Sequence, residues 1–160
     1  MTQPTRALRV ALALNRFMRL SESDRWLIIE TTFYLICAKI ATFTTPTRTL
    51  LALGDLDLSS GAPDTRVAAL PVEIAPAIHA LDKSSRRLTF ANCLIRALAL
   101  RMLLAHRDIA TDLHIGARKD EQGQFAAHAW LTYNDIILVG GDDARDLYRE
   151  LVGSSHALLR

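Results

Sequence analysis

The stretch from Asn92 to Asp143, "NCLIRALALRMLLAHRDIATDLHIGARKDEQGQFAAHAWLTYNDIILVGGDD", constrains the fold more than any other part of the chain. Its apolar residues repeat first at helical spacing and then at every second position. Leu94, Ala97, Leu98, Arg101, Met102 and Ala105 share the helical repeat, in a run rich in Ala and Leu without Gly or Pro, so a helix is predicted there. Asn92 suits the position before it, because its side-chain oxygen accepts from an orphan N–H of the first turn. Cys93 then becomes the first helical residue, where free N–H groups and the positive end of the dipole stabilise negative charge on sulfur. Beyond the helix, Leu113, Ile115 and Ala117 alternate with Asp112, His114, Gly116 and Arg118, which is the period of a strand. "FAAHAWLTY" and "IILVGG", joined through Asn134-Asp135, predict a hairpin. The fold class is therefore α+β, with helices first and a cysteine-bearing helix packed on a small antiparallel sheet.

His128 lies near the start of the first hairpin strand. A cysteine opening a helix, then a strand histidine, then an acid on the next strand is the chain order of a transglutaminase-like thiol site. The imidazole takes the thiol proton, the acid fixes the ring, and the helix N–H groups stabilise the oxyanion formed on attack at a carbonyl.

"CLIRALALRMLLAHRDIATDLHIGAR" followed by "AHAWLTYNDIILVGG" resembles the leader peptidase of lasso-peptide biosynthesis, the transglutaminase-like (papain-like) protease half of the B protein where it is encoded apart. The resemblance runs from Asn92 to about Gly141, and before Ala91 only a general helical pattern remains. It implies Cys93 as nucleophile and His128 as base, in a cysteine peptidase that removes the leader of a ribosomally made precursor. It also implies a separate leader-binding protein and an ATP-dependent cyclase as partners. The family's acid sits about where Gly140 falls here. This chain has Gly140-Gly141 and then Asp142 and Asp143. A bulge at the glycines would bring an aspartate to the imidazole, with Asp142 the nearer choice, Asp143 the alternative, and a dyad aided by a water or amide the third. Other acyl transfer on the same fold, or a peptide-binding module without catalysis, are the competing readings.

At 160 residues the chain is expected to form a single domain, helical over about 1–90 and carrying the catalytic helix and sheet over about 91–152. Net charge is +2 with dispersed basic residues, so no nucleic-acid partner is expected. Two cysteines, Cys37 and Cys93, are too few for a disulfide framework, and no zinc-ligand pair or cofactor motif is visible. A protein needing a free thiol fits a reduced, cytoplasmic setting.

Residues 4–20 are expected to form a basic amphipathic helix with Leu8, Ala11, Leu12, Asn15 and Arg19 on one side. Arg16 and Arg19 argue against a signal peptide. A second helix starts at Ser21, capping-box-like with Asp24. Its apolar run from Trp26 to Phe43 is interrupted by Glu30 and Lys39, which favours a core helix over a membrane span. Trp26, Phe33 and Tyr34 are expected as core packing, and Cys37 as a small buried hydrophobe. Pro71 and Pro76 mark starts or kinks of one or two short helices before Arg87. Arg96, Arg101 and Arg107 are expected on a solvated helix face. His79, His106 and His156 are expected to be structural or incidental, and the tail after Asp143 to form a short helix ending near Gly153.

Overall fold

The computed structural model describes residues 15, 17–45, 70–119 and 123–153. Most of the expected 4–20 helix, residues 46–69, and His156 lie outside them. Among the described residues the long helices are α1 (Glu22–Thr44), α2 (Ile74–Ser85) and α3 (Cys93–Ala105). The strands are β1 (Asp112–Lys119), β2 (Phe125–Tyr133) and β3 (Ile136–Val139), followed by the one-turn helix α4 (Ala144–Leu147) and β4 (Arg149–Gly153).

The helix starts have local causes. Ser21 caps α1, its hydroxyl accepting from the Asp24 N–H at 3.1 Å. Asn92 caps α3, its side-chain oxygen accepting from the Ile95 N–H at 3.0 Å. Pro76 falls in the first turn of α2, where a missing N–H costs nothing because that turn's donors have no helical acceptor. The two prolines therefore set one helix rather than two.

α3 is buried on nearly all sides, through Ile95, Ala97, Leu98, Ala99, Leu100, Leu103 and Leu104, as an axis enclosed by other elements must be. α1 and α2 pack on its one side, β1 and β2 on the other. Leu113, Ala129 and Leu131 reach it from the sheet and Leu35, Ala38, Ile74 and Leu81 from the helices. Arg107 donates to Glu30 of α1 at 2.6 Å and Arg96 to Asp82 of α2 at 2.6 Å. These arginines are thus not a solvated face: both are half-buried clamps between helices.

α1 departs from the expectation in one respect. Its buried side is Thr31, Leu35 and Ala38. Trp26, Ile29, Phe33, Ile36, Ile40 and Phe43 form an exposed stripe on the other side, Trp26 at 63% and Phe33 at 59%. The helix is apolar on more sides than α2 and α3 cover, so only Tyr34 of the three named aromatics packs against the core. By length and composition alone α1 is apolar enough to cross a bilayer.

The sheet is antiparallel with strand order β3-β2-β1-β4. The hairpin turn puts Asn134 and Asp135 at φ 44° and 67°, the left-handed pair that a two-residue connection needs and that Asn and Asp tolerate. β4 replaces the expected helical tail. "ARDLYRELV" has helix-forming residues but Tyr148, Glu150 and Val152 alternate, and pairing with the free edge of β1 decides the conformation.

Candidate active site

Two elements meet at the cysteine. Asn92 uses one first-turn donor of α3, which leaves the backbone N–H groups of Cys93 and Leu94 without helical acceptors. Cys93 is a free thiol, half-buried at the first residue of the helix. It lines a cavity of about 410 Å3 together with His128. Ile78, Asp82 and Arg96 form its helical wall, and the segment from Leu138 to Gly141 its sheet wall. Cys37, by contrast, is half-buried in α1 and takes no part in this cavity.

His128 stands opposite Gly116 in the β1–β2 register, on the sheet face that carries Trp130 and His114. Its Nε2–H donates to the backbone carbonyl of Gly140 at 2.5 Å. A carbonyl only accepts, so this bond fixes the proton on Nε2 and leaves Nδ1 as the basic nitrogen of the neutral ring. The ring is also held from its faces. Tyr148 stacks on it with centroids 4.9 Å apart, and Trp130 lies 6.5 Å away at 17°. Trp130, 1% exposed, therefore fills the interior and also backs the imidazole.

The expected acid does not hold the ring. Asp142 and Asp143 are exposed, neither lines the cavity, and neither accepts from His128 among the described residues. The physical reason is where the bulge falls. Thr132 pairs with Ile137 and Leu131 with Val139, so the extra residue is Leu138 and not one of the glycines. The glycines instead turn the chain, with φ 120° at Gly140 and 95° at Gly141. A Cβ on Gly140 would stand 2.3 Å from the Trp130 Cβ and 2.8 Å from its Cα. No side chain fits there, and the main-chain carbonyl occupies the position next to Nε2. The Gly-Gly pair where the resemblance puts an acid was the available signal for this exchange.

The Arg96–Asp82 pair in the cavity wall leaves no mark in the sequence, because it needs two helices to assemble. Arg96 keeps a buried Nε without a hydrogen-bond partner among the described residues. His114, assigned to the face opposite Leu113 and Ile115, is buried on that face. Its Nδ1 meets Glu150 at 2.6 Å, its Nε2 meets the Thr132 hydroxyl at 2.9 Å, and it stacks on Trp130 at 5.4 Å. It does not line the cysteine cavity. Among the described residues, no group of three or more His, Cys, Asp or Glu side chains is arranged to hold a metal ion.

A thiol at a helix start and a strand imidazole in one cavity, on helices packed against an antiparallel sheet, define the class of transglutaminase-like folds. The comparison with protein families agrees: residues 37–153 match the transglutaminase-like superfamily, and the chain belongs to it. No curated protein and no solved structure matches the chain.

Proposed function

We propose that this protein is a cysteine peptidase that cleaves the leader from a ribosomally made lasso-peptide precursor. The observation that carries the reading is that Cys93 and His128 line one cavity at the start of α3, where the first-turn N–H groups have no helical acceptor. Membership of the superfamily supports acyl chemistry at a thiol, and the resemblance of Asn92 to Gly141 supports the leader-peptidase assignment.

In this reading, Nδ1 of His128 takes the thiol proton and the sulfur attacks the scissile carbonyl carbon. The N–H groups of Cys93 and Leu94 face the oxyanion. The C–N bond then breaks, the imidazolium returns its proton to the leaving amine, and water opens the thioester on Cys93. The Gly140 carbonyl does the orienting that an acid does elsewhere, as a neutral acceptor on Nε2. A separate leader-binding protein delivers the precursor, raising its effective concentration without a new contact at the cut. The ATP-dependent cyclase consumes the product, and the setting is cytoplasmic.

The test is a cleavage time course on precursor peptide, with and without the leader-binding protein, read by mass. Wild type should release the leader, faster with the partner, while Cys93→Ala and His128→Ala should not. Products carrying an added amine in place of water would make the protein a transferase. An unreacted precursor under all conditions would leave a binding module.

A further inference from the structure

A second cavity, of about 530 Å3, opens at the end of the sheet against Tyr148. Arg118, Lys119, Arg145 and Arg149 stand around it, against one acid, Asp146. Three of these cations are held in place. The Arg118 guanidinium lies 5.0 Å from the Tyr148 ring centroid, the Lys119 ammonium lies 5.2 Å from that of Phe125, and Arg145 donates to Asp135 at 3.1 Å. Stacking on a ring positions a cation and leaves its charge unneutralised. Among the described residues, Arg118, Lys119 and Arg149 have no carboxylate partner. A concave site with several cations and two aromatic walls recognises a carboxylate-bearing chain better than a neutral one.

The site is coupled to the active site by a single ring. Tyr148 lines the basic cavity and stacks on His128, 4.9 Å away. The Arg118 guanidinium is therefore at most about 10 Å from the imidazole, a span that three or four residues of extended peptide cover at ~3.3 Å each. We infer that this cavity is a subsite for an acidic segment of the peptide substrate, with a Glu or Asp bound within about four residues of the scissile bond. The inference rests on the peptidase reading for the identity of the ligand as substrate, but the binding itself does not depend on catalysis.

The test uses the full chain carrying Cys93→Ala, so that a probe is bound and not turned over. Two decapeptides of Gly and Ser, one with a central Glu-Glu and one with Gln-Gln, carry the same uncharged fluorophore and are titrated by anisotropy. Exposed ion pairs are individually weak, so the Glu-Glu probe should bind about fivefold to tenfold tighter at low salt. The gap should close at 0.5 M salt, as screened pairs require. Arg118→Glu should remove the preference and favour a Lys-Lys probe, while Arg118→Lys should retain most of it. Equal binding of the two probes would overturn the inference, whether the cations are idle or satisfied by Asp120 and Glu121, which follow β1 in the sequence. So would displacement by millimolar acetate as readily as by peptide, or tighter binding of an oligothymidylate of equal charge. Failure of the peptidase reading looks different: precursor stays uncleaved by wild-type protein while the Glu preference persists.

Discussion

Replacing Gly140 by alanine should damage the thiol site more than replacing Asp142 by asparagine. The added methyl would meet the Cβ and Cα of Trp130 at 2.3 and 2.8 Å, and neither atom can swing away as a side-chain tip would. The backbone must shift, from a φ of 120° that L-residues rarely adopt, at a strain on the order of 1–3 kcal/mol. The shift carries the Gly140 carbonyl off Nε2 of His128. A hydrogen bond to a ring that becomes charged contributes ~1.5–3 kcal/mol. At about 1.4 kcal/mol per factor of ten, its loss slows proton transfer roughly 10- to 150-fold. The rate of Cys93 alkylation by iodoacetamide, followed by intact mass, reads this without a peptide substrate, and a thermal melt separates slow chemistry from unfolding. Asp142→Asn should leave the rate within about twofold, because nothing in the structure ties that exposed carboxylate to the ring. A folded Gly140→Ala protein alkylated at the wild-type rate, together with a slow Asp142→Asn protein, would refute the carbonyl's role and restore the aspartate.

Cys93→Ala should remove alkylation in the cavity and cleavage together, while Cys37→Ala leaves cleavage unchanged; peptide mapping of the labelled protein distinguishes the two thiols. Leu35→Ala, at a fully buried side chain of α1, should cost about 2–5 kcal/mol in urea unfolding. Phe43→Ala, at a residue 77% exposed on the same helix, should change stability by about 0.5 kcal/mol or less. Burial first, and then the Glu30 charge, raise the Tyr34 hydroxyl above its ordinary value of 10.0. The folded state thus holds that proton where the unfolded chain releases it, so stability is intact below pH 10.0 and declines as pH rises past it. Tyr34→Phe should flatten that alkaline decline in melts taken through this range. His128→Ala should abolish cleavage as fully as Cys93→Ala, and the double variant should be no worse, because members of one catalytic unit do not add.

The local elements around the site were legible because their causes are local. The Asn92 cap, the apolar repeat after Cys93, the alternation of Leu113 to Arg118 and the Asn134-Asp135 turn each act within a few residues. They suffice to place a thiol at a helix start and an imidazole on a strand, and the α+β class follows from their order. The apolar pattern of α1 was less informative. It is apolar on nearly every side, so nothing in its own residues says that Leu35 faces the core and Phe33 does not.

What the tertiary structure decided depends on partners far apart in sequence. β4 is a strand because the edge of β1 offers it hydrogen bonds that its helix-forming residues do not encode. Arg96 and Arg107 became clamps when α2 and α1 brought Asp82 and Glu30 to them. The orienting acceptor of His128 was hidden for a related reason. A sequence advertises side chains, and at Gly140 the chain uses the main-chain carbonyl, which every residue has. The Leu138 bulge and the close approach of Gly140 to Trp130, which accompany that contact, are features of the assembled sheet. The amino-acid order determines which groups are present for chemistry, while packing across the sheet determines which of them point at one another.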